Sequence, residues 1–216
     1  MMDYGKSFTY VFADDKWISK FLVGVVIMLV PIVNFAGYGY MLQIIKNVRD
    51  GEELVLPEWD DFGKFFVDGL KFVAGMLVYY IPVILLSFAI IPFAIAVESS
   101  GSSGDAIGVA MMLVSCLIFV FSFLPMLIYP ALFIQFAKED QIGDMFKFSD
   151  MWELIKSDGG NYLIVLLMIF FVLSFIASFG ILLCFVGVFL TAWWSQLATA
   201  HMIGQLARPK EKPITV

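Results

Sequence analysis

The sequence predicts an all-α, polytopic integral membrane bundle of five to six membrane helices with short interfacial amphipathic helices, and three observations carry that prediction. Hydrophobic residues make up 61% of the 216 and charged residues only 15%, whereas soluble domains lie near one half and one quarter. Four stretches hold no Asp, Glu, Lys or Arg: 21–45, 72–97, 106–137 and 161–207. About 20 apolar residues cross the hydrocarbon core, so the first three suffice for one helix each and the last for two. Finally, none of these runs shows the polar face that a soluble helix of that length needs. Nor do they alternate over about ten residues, as the strands of a membrane barrel do.

The single membrane domain divides along the chain as follows. Residues 1–20 form an N-terminal interfacial segment. Its start, "MMDYGKSFTYVFADDKW", lacks a basic n-region and a small-residue cleavage site, so the first apolar run reads as a retained insertion signal, and no lipidation motif is seen. Membrane segment 21–45 is broken near Pro31, which cannot continue a helix without kinking it, while Asn34 can cap a new one and Gly37 and Gly39 allow close approach. Two arrangements follow: one kinked crossing, or a re-entrant helix-break-helix hairpin buried by its neighbours. The hairpin is the reading adopted. A cytoplasmic loop with an amphipathic helix (46–71) leads to a membrane helix (72–97), and an external loop, "ESSGSSGD" (98–105), to another (106–137). A cytoplasmic amphipathic segment (138–160), a membrane helical hairpin (161–207) turning at Ser178-Phe179-Gly180, and a cytoplasmic tail (208–216) complete the chain.

Basic residues orient it. Lys46, Arg49, Lys64 and Lys71, then Lys138, Lys147 and Lys156, then Arg208, Lys210 and Lys212 fall in three connections, while the Ser/Gly loop has none. The positive-inside rule places those three in the cytoplasm and the loop outside. Lys6, Lys16 and Lys20 ask for a cytoplasmic N-terminus, which only the hairpin permits. The expected location is the inner (cytoplasmic) membrane, multi-pass, with the C-terminus in the cytoplasm.

Three polar-aromatic segments each precede an apolar run: "FADDKWISKF", "LPEWDDFGKFF" and "FKFSDMWELIK". Each sets one Trp beside Asp and then a Lys. In the second, Trp59, Phe62, Phe66 and Leu70 share one helical face and the charges point elsewhere. In the third, Asp150 and Glu153 have capping-box spacing, and Gly159-Gly160 would stop the helix. Trp17, Trp59, Phe62, Phe66 and Trp152 are therefore the expected interfacial anchors, with Trp at headgroup depth and Lys snorkelling. The first and third segments also suggest a loose internal duplication.

Candidate chemistry is thin. Glu58, Asp60 and Asp61 lack the His, or the acids at helical spacing, that a metal centre needs, and read as helix-start acids. Cys116 and Cys184 read as small buried hydrophobes. His201 is the one histidine, near the interface, with Gln205 one turn on. Thr191, Ser195 and Thr199 make a hydroxyl stripe of the kind that ties helices together, with no base or Gly-rich elbow to make a nucleophile. Asn34, Gln43, Gln135 and His201 are the candidate polar cavity or ligand contacts. No catalytic, cofactor-binding or metal residue is expected, and no cofactor. Dispersed basic residues and a net charge of −6 speak against nucleic acid.

Residues 32–71, "IVNFAGYGYMLQIIKNVRDGEELVLPEWDDFGKFFVDGLK", resemble the signature of a bacterial and archaeal membrane-protein family known as domain of unknown function 4013. Pro31, Gly39-Tyr40, Asn47-Val48, Gly51-Glu52 and Leu56-Pro57-x-Trp59-Asp60-Asp61 carry the resemblance. More distantly, the chain is similar to membrane domains attached to glycerophosphodiester phosphodiesterases. The resemblance implies no activity and no catalytic residues. The expectation is a non-enzymatic membrane scaffold or accessory subunit whose partners are lipids, other membrane subunits or a second copy. The alternative is a lipid or small-amphiphile binder or transporter. Buried acids, which ion-coupled transporters use, are missing from the apolar runs.

Overall fold

The computed structural model describes residues 2–100, 105–183 and 186–209, and among these the secondary structure is helical, with no strand. Residues 101–104 of the Ser/Gly loop, Cys184 and the tail from residue 210, with Lys210 and Lys212, lie outside the described residues. The helices are α1 (Tyr4–Thr9), α2 (Trp17–Leu29), α3 (Phe35–Asp50), α4 (Phe62–Ser100), α5 (Asp105–Glu139), α6 (Phe148–Ser157), α7 (Gly159–Leu167), α8 (Ser174–Phe179) and α9 (Val186–Leu206). A π-helical stretch, Met168–Leu173, joins α7 to α8.

Three stretches are long and apolar enough to cross a membrane: Trp59–Pro92, Gly108–Glu139 and Gly159–Leu182. The apolar helix α2 is shorter. The chain forms two compact units, Met1–Val73 with Pro130–Val216 and, separately, Ala74–Tyr129. The second holds the C-terminal part of α4, from Ala74, and the greater part of α5. Many of its described large apolar side chains are exposed, from Leu77 and Phe88 on α4 to Phe119, Val120 and Leu127 on α5. Cys116 is exposed there rather than buried.

The first unit is built around α9. Residues 197–206 of this helix are all buried, so its polar side chains Thr199, His201 and Gln205 point into protein. Helix α3 packs extensively against α9. Gly204 meets the Val48 side chain, and the Arg208 Nε donates to the Val48 carbonyl at 2.8 Å. On the other flank, α3 and α4 cross at two glycines. A Cβ on Gly39 would collide with the Phe65 carbonyl, and one on Gly69 with the Phe35 carbonyl.

The break at Pro31 is real and sharp. Helix α2 ends at Leu29, and α3 begins at Phe35. Between them Ile32 adopts φ +73°, a left-handed conformation that a β-branched residue reaches only under strain. Asn34 occupies the cap position, but its side chain makes no capping bond, contrary to expectation. The other end of α3 is closed by Gly51 at φ +81°. Its N–H reaches the Val48 carbonyl, and the Glu52 N–H reaches Asn47 at 2.9 Å, the paired pattern that satisfies a helix's last carbonyls.

Several local expectations are corrected. The amphipathic stretch after Trp59 is not a separate strap helix, since α4 runs unbroken from Phe62 into the apolar run. Asp150 and Glu153 form no capping box: α6 has no side-chain cap, and its first turn closes on the Lys147 carbonyl. Helix α6 ends before Asp158, and the Gly159-Gly160 pair opens α7 instead of stopping α6. The turn expected near Gly180 is present, where the chain leaves α8 for a short 3-10 turn ahead of α9.

Both ends of the described chain meet on α9. The Gln205 carboxamide accepts from the Asp3 N–H at 2.6 Å and donates to the Asp3 carbonyl at 2.8 Å. Ser7 Oγ lies 2.9 Å from His201 Nδ1. The C-terminal end of α5 comes to the same end of α9 as the chain termini do, because Arg49 at the end of α3 donates to the Ala137 carbonyl and Lys46 pairs with Asp140.

Candidate functional site

The densest polar constellation lies where the strap between α3 and α4 folds back onto α2. Lys20, at the start of the first apolar run, is buried with its amine engaged three ways. It donates to Asp14 Oδ2 at 2.6 Å and to the Leu56 carbonyl at 2.9 Å, and it lies 3.2 Å from Glu58. Burial pushes the Asp14 carboxyl up, but the hydrogen bonds from Lys20 and from the Lys16 N–H at 2.8 Å outweigh it and hold the carboxyl below its usual range. Lys20 and the exposed Lys16 likewise hold Glu58 down. With three acceptors around it, the Lys20 amine is engaged within the fold rather than presented to a substrate.

Around this ion cluster the aromatic residues stack. The Tyr40 ring lies on Trp59 at 4.1 Å between centroids and 13° between planes, and its hydroxyl donates to the Pro57 carbonyl at 2.9 Å. The Trp59 indole N–H donates to the Lys20 carbonyl at 2.9 Å. Trp193 closes the cluster, fully buried, 5.8 Å from Tyr40 and 6.3 Å from Trp59. Its ring occupies the space a side chain at position 24 would fill, which is why Gly24 stands there. One turn beyond Gln43, Asn47 accepts from the Gln43 amide at 2.8 Å and donates to the Val55 carbonyl at 3.0 Å, fixing the start of the strap.

The expected interfacial anchors thus divide. Trp59 is half-buried, with its indole N–H given to the Lys20 carbonyl and its ring stacked on Tyr40, partners that compete with a headgroup. Phe66 is half-buried against Phe35, and Trp17 is half-buried with its ring edge-on to Phe12 at 4.9 Å. Phe62 is exposed, and Trp152 is 59% exposed.

The four candidate polar contacts do not converge, since none hydrogen-bonds another among the described residues. Asn34 sits at the break, Gln43 serves Asn47, and His201 is buried between Ser7, Gln205 and the stacked Tyr10 ring at 4.4 Å. Gln135 is buried with neither carboxamide atom hydrogen-bonded. In the hydroxyl stripe, Ser195 donates to the Leu173 carbonyl at 3.1 Å at the end of the π-helical stretch, and Thr191 donates to Ala177 at 2.8 Å. Those bonds join α9 to its neighbours, the role the spacing suggested.

Among the described residues no group of three His, Cys, Asp or Glu is placed to hold a metal ion. An open groove on α5 is lined by Phe119, Val120, Phe121, Phe123, Leu124 and Leu127 and offers almost no polar surface. The sequence reading missed the Lys20 cluster and the Trp193–Gly24 contact. A lysine and two acids beside an apolar run were visible, but their pairing spans residues 14 to 58.

Helices built this way, with long exposed apolar faces, define an integral membrane protein of the all-helical class. Within it, the chain belongs to the family described as "Protein of unknown function (DUF4013)", which matches residues 22–186. The strap residues that carried the resemblance are those that hold Lys20, Tyr40 and Trp59 together. Comparisons with curated proteins and with solved structures return no match, so the more distant likeness to glycerophosphodiesterase-linked membrane domains gains no support.

Proposed function

We propose that the protein is a non-enzymatic scaffold or accessory subunit of the cytoplasmic membrane, with both termini in the cytoplasm. The observation that carries this reading is the use of the signature's polar groups within the fold. Tyr40 and Asn47 donate to the Pro57 and Val55 carbonyls of the strap, Trp59 donates to the Lys20 carbonyl on α2, and the Lys20 amine is taken up by Asp14 and the Leu56 carbonyl. Such a cluster makes a rigid platform rather than an open reaction site. Meanwhile the exposed apolar lengths of α4 and α5 offer a large area to lipid and to partner helices. The shared sidedness is supported by the meeting of Asp3, Val48, Ala137 and Arg208 at one end of α9, which the hairpin at Pro31 accommodates.

Purification from native membranes in mild detergent tests the role: a stoichiometric membrane partner should accompany the protein and be lost when Leu117 and Leu124 are both replaced by Trp. A lipid or amphiphile carrier is the second reading, favoured by the unsatisfied Gln135, since buried carboxamides without partners invite a ligand or water. A melting shift on lipid addition that Gln135→Leu abolishes, with no partner retained, would replace the first reading by the second. For sidedness, a cysteine at the exposed Thr9, in a background lacking Cys116 and Cys184, should react with an impermeant thiol reagent only after cells are opened.

A further inference from the structure

Helix α6 carries three stripes rather than two. At 100° per residue, Met151, Leu154 and Ile155 fall together and are buried or half-buried, while Ser149, Glu153 and Ser157 fall on the far side and are exposed. Between them runs Phe148, Trp152 and Lys156, spaced i, i+4, i+8. Phe148 is 61% exposed and Trp152 59%. The Lys156 ammonium stands 5.1 Å from the centre of the Trp152 ring and, among the described residues, makes no ion pair. On a water-bathed surface an exposed aromatic pair between a buried stripe and a polar stripe is unfavourable by the area it presents. At the edge of a bilayer the same order of stripes is the favourable one.

The neighbouring chain supplies the bilayer. Two residues after α6, the apolar stretch Gly159–Leu182 begins, and its Leu163, Ile164, Leu167 and Phe171 are exposed. We infer that α6 is a bilayer-surface anchor, in which Phe148 and Trp152 insert at the headgroup–acyl boundary and Lys156 engages lipid phosphate. This inference deepens the membrane reading above and rests on it. Of the three Trp-bearing segments, only α6 presents its Trp outward, since Trp59 is held by Lys20 and Tyr40.

The experiment uses the full chain lacking Cys116 and Cys184, with single cysteines at Phe148, Ser157 or Leu167, labelled with an environment-sensitive fluorophore. The protein is reconstituted in vesicles of phosphatidylcholine with or without phosphatidylglycerol, doped with lipids spin-labelled near the headgroup or deep in the chain. The probe at 148 should be quenched about twofold more by the shallow label than by the deep one, as a depth of roughly 5–10 Å requires. The probe at 167 should favour the deep label, and the probe at 157 should respond to neither. Lys156→Glu should weaken shallow quenching at 148 in the phosphatidylglycerol vesicles more than in the neutral ones. A probe at 148 that only water-soluble quenchers reach, or that none reaches because a second protein covers it, overturns the inference while deep quenching at 167 persists. Loss of quenching at 167 as well would instead overturn the membrane reading beneath it.

Discussion

One helix, α5, holds two regions of like composition and opposite fate. From Ala131 to Ala137 every side chain is buried, Phe133 and Phe136 completely. From Leu117 to Leu127 the chain is just as apolar, yet Phe119 and Val120 are each 63% exposed and Leu127 53%. Apolar content alone therefore does not decide burial in this protein. Protein neighbours do: Phe72 of α4 lies 4.1 Å from Phe133 and 5.7 Å from Phe136 by ring centroid. A surface as oily as residues 117–127 is stable only where the surrounding solvent is itself oil.

Substitutions sharpen that contrast, and the largest effects belong in the packed region. Gly39→Leu or Gly69→Leu forces α3 and α4 apart and should prevent folding or cost at least about 3 kcal/mol, read as loss of a monodisperse peak in detergent. Lys20→Met strands the Asp14 carboxylate and should cost about 3–5 kcal/mol, whereas adding Asp14→Asn should recover much of it. The same pair sets an acid limit. The Asp14 carboxyl is lowered in the folded protein, so its contribution is complete above the ordinary carboxylate range, near pH 4. It is lost as pH falls through the lowered value, and Asp14→Asn should flatten that part of a stability-against-pH curve. Ile32→Gly relieves a left-handed isoleucine and should raise the melting temperature, with about 1 kcal/mol gained. Smallest of all, Leu117→Ala on the exposed length of α5 should change stability by no more than about 0.5 kcal/mol.

Much of the fold was legible because charge-free runs are a property of local sequence. The Pro31 break, the turn before α9 and the hydroxyl stripe were readable for the same reason: each depends on residues a few positions apart. The candidate site was not. Trp59, Phe62 and Phe66 show a sound amphipathic period, but period cannot tell a headgroup from Tyr40, and Trp59 chose the latter. Lys20 looked like a snorkelling residue until Leu56 and Glu58, more than thirty positions away, closed over it. Gly24 gave no sign that Trp193 fills its missing side chain. On α6, Trp152 and Lys156 stand one turn apart and meet within one helix, a relation that local spacing can show.

The most direct measurement is spin-label accessibility along α5 in reconstituted bilayers. Labels at positions 119, 120 and 127 should collide freely with oxygen and hardly at all with a water-soluble nickel chelate, while labels at 132 and 136 should be shielded from both. Free collision of the nickel chelate with positions 119, 120 and 127 would show water where the account requires lipid, and would contradict it.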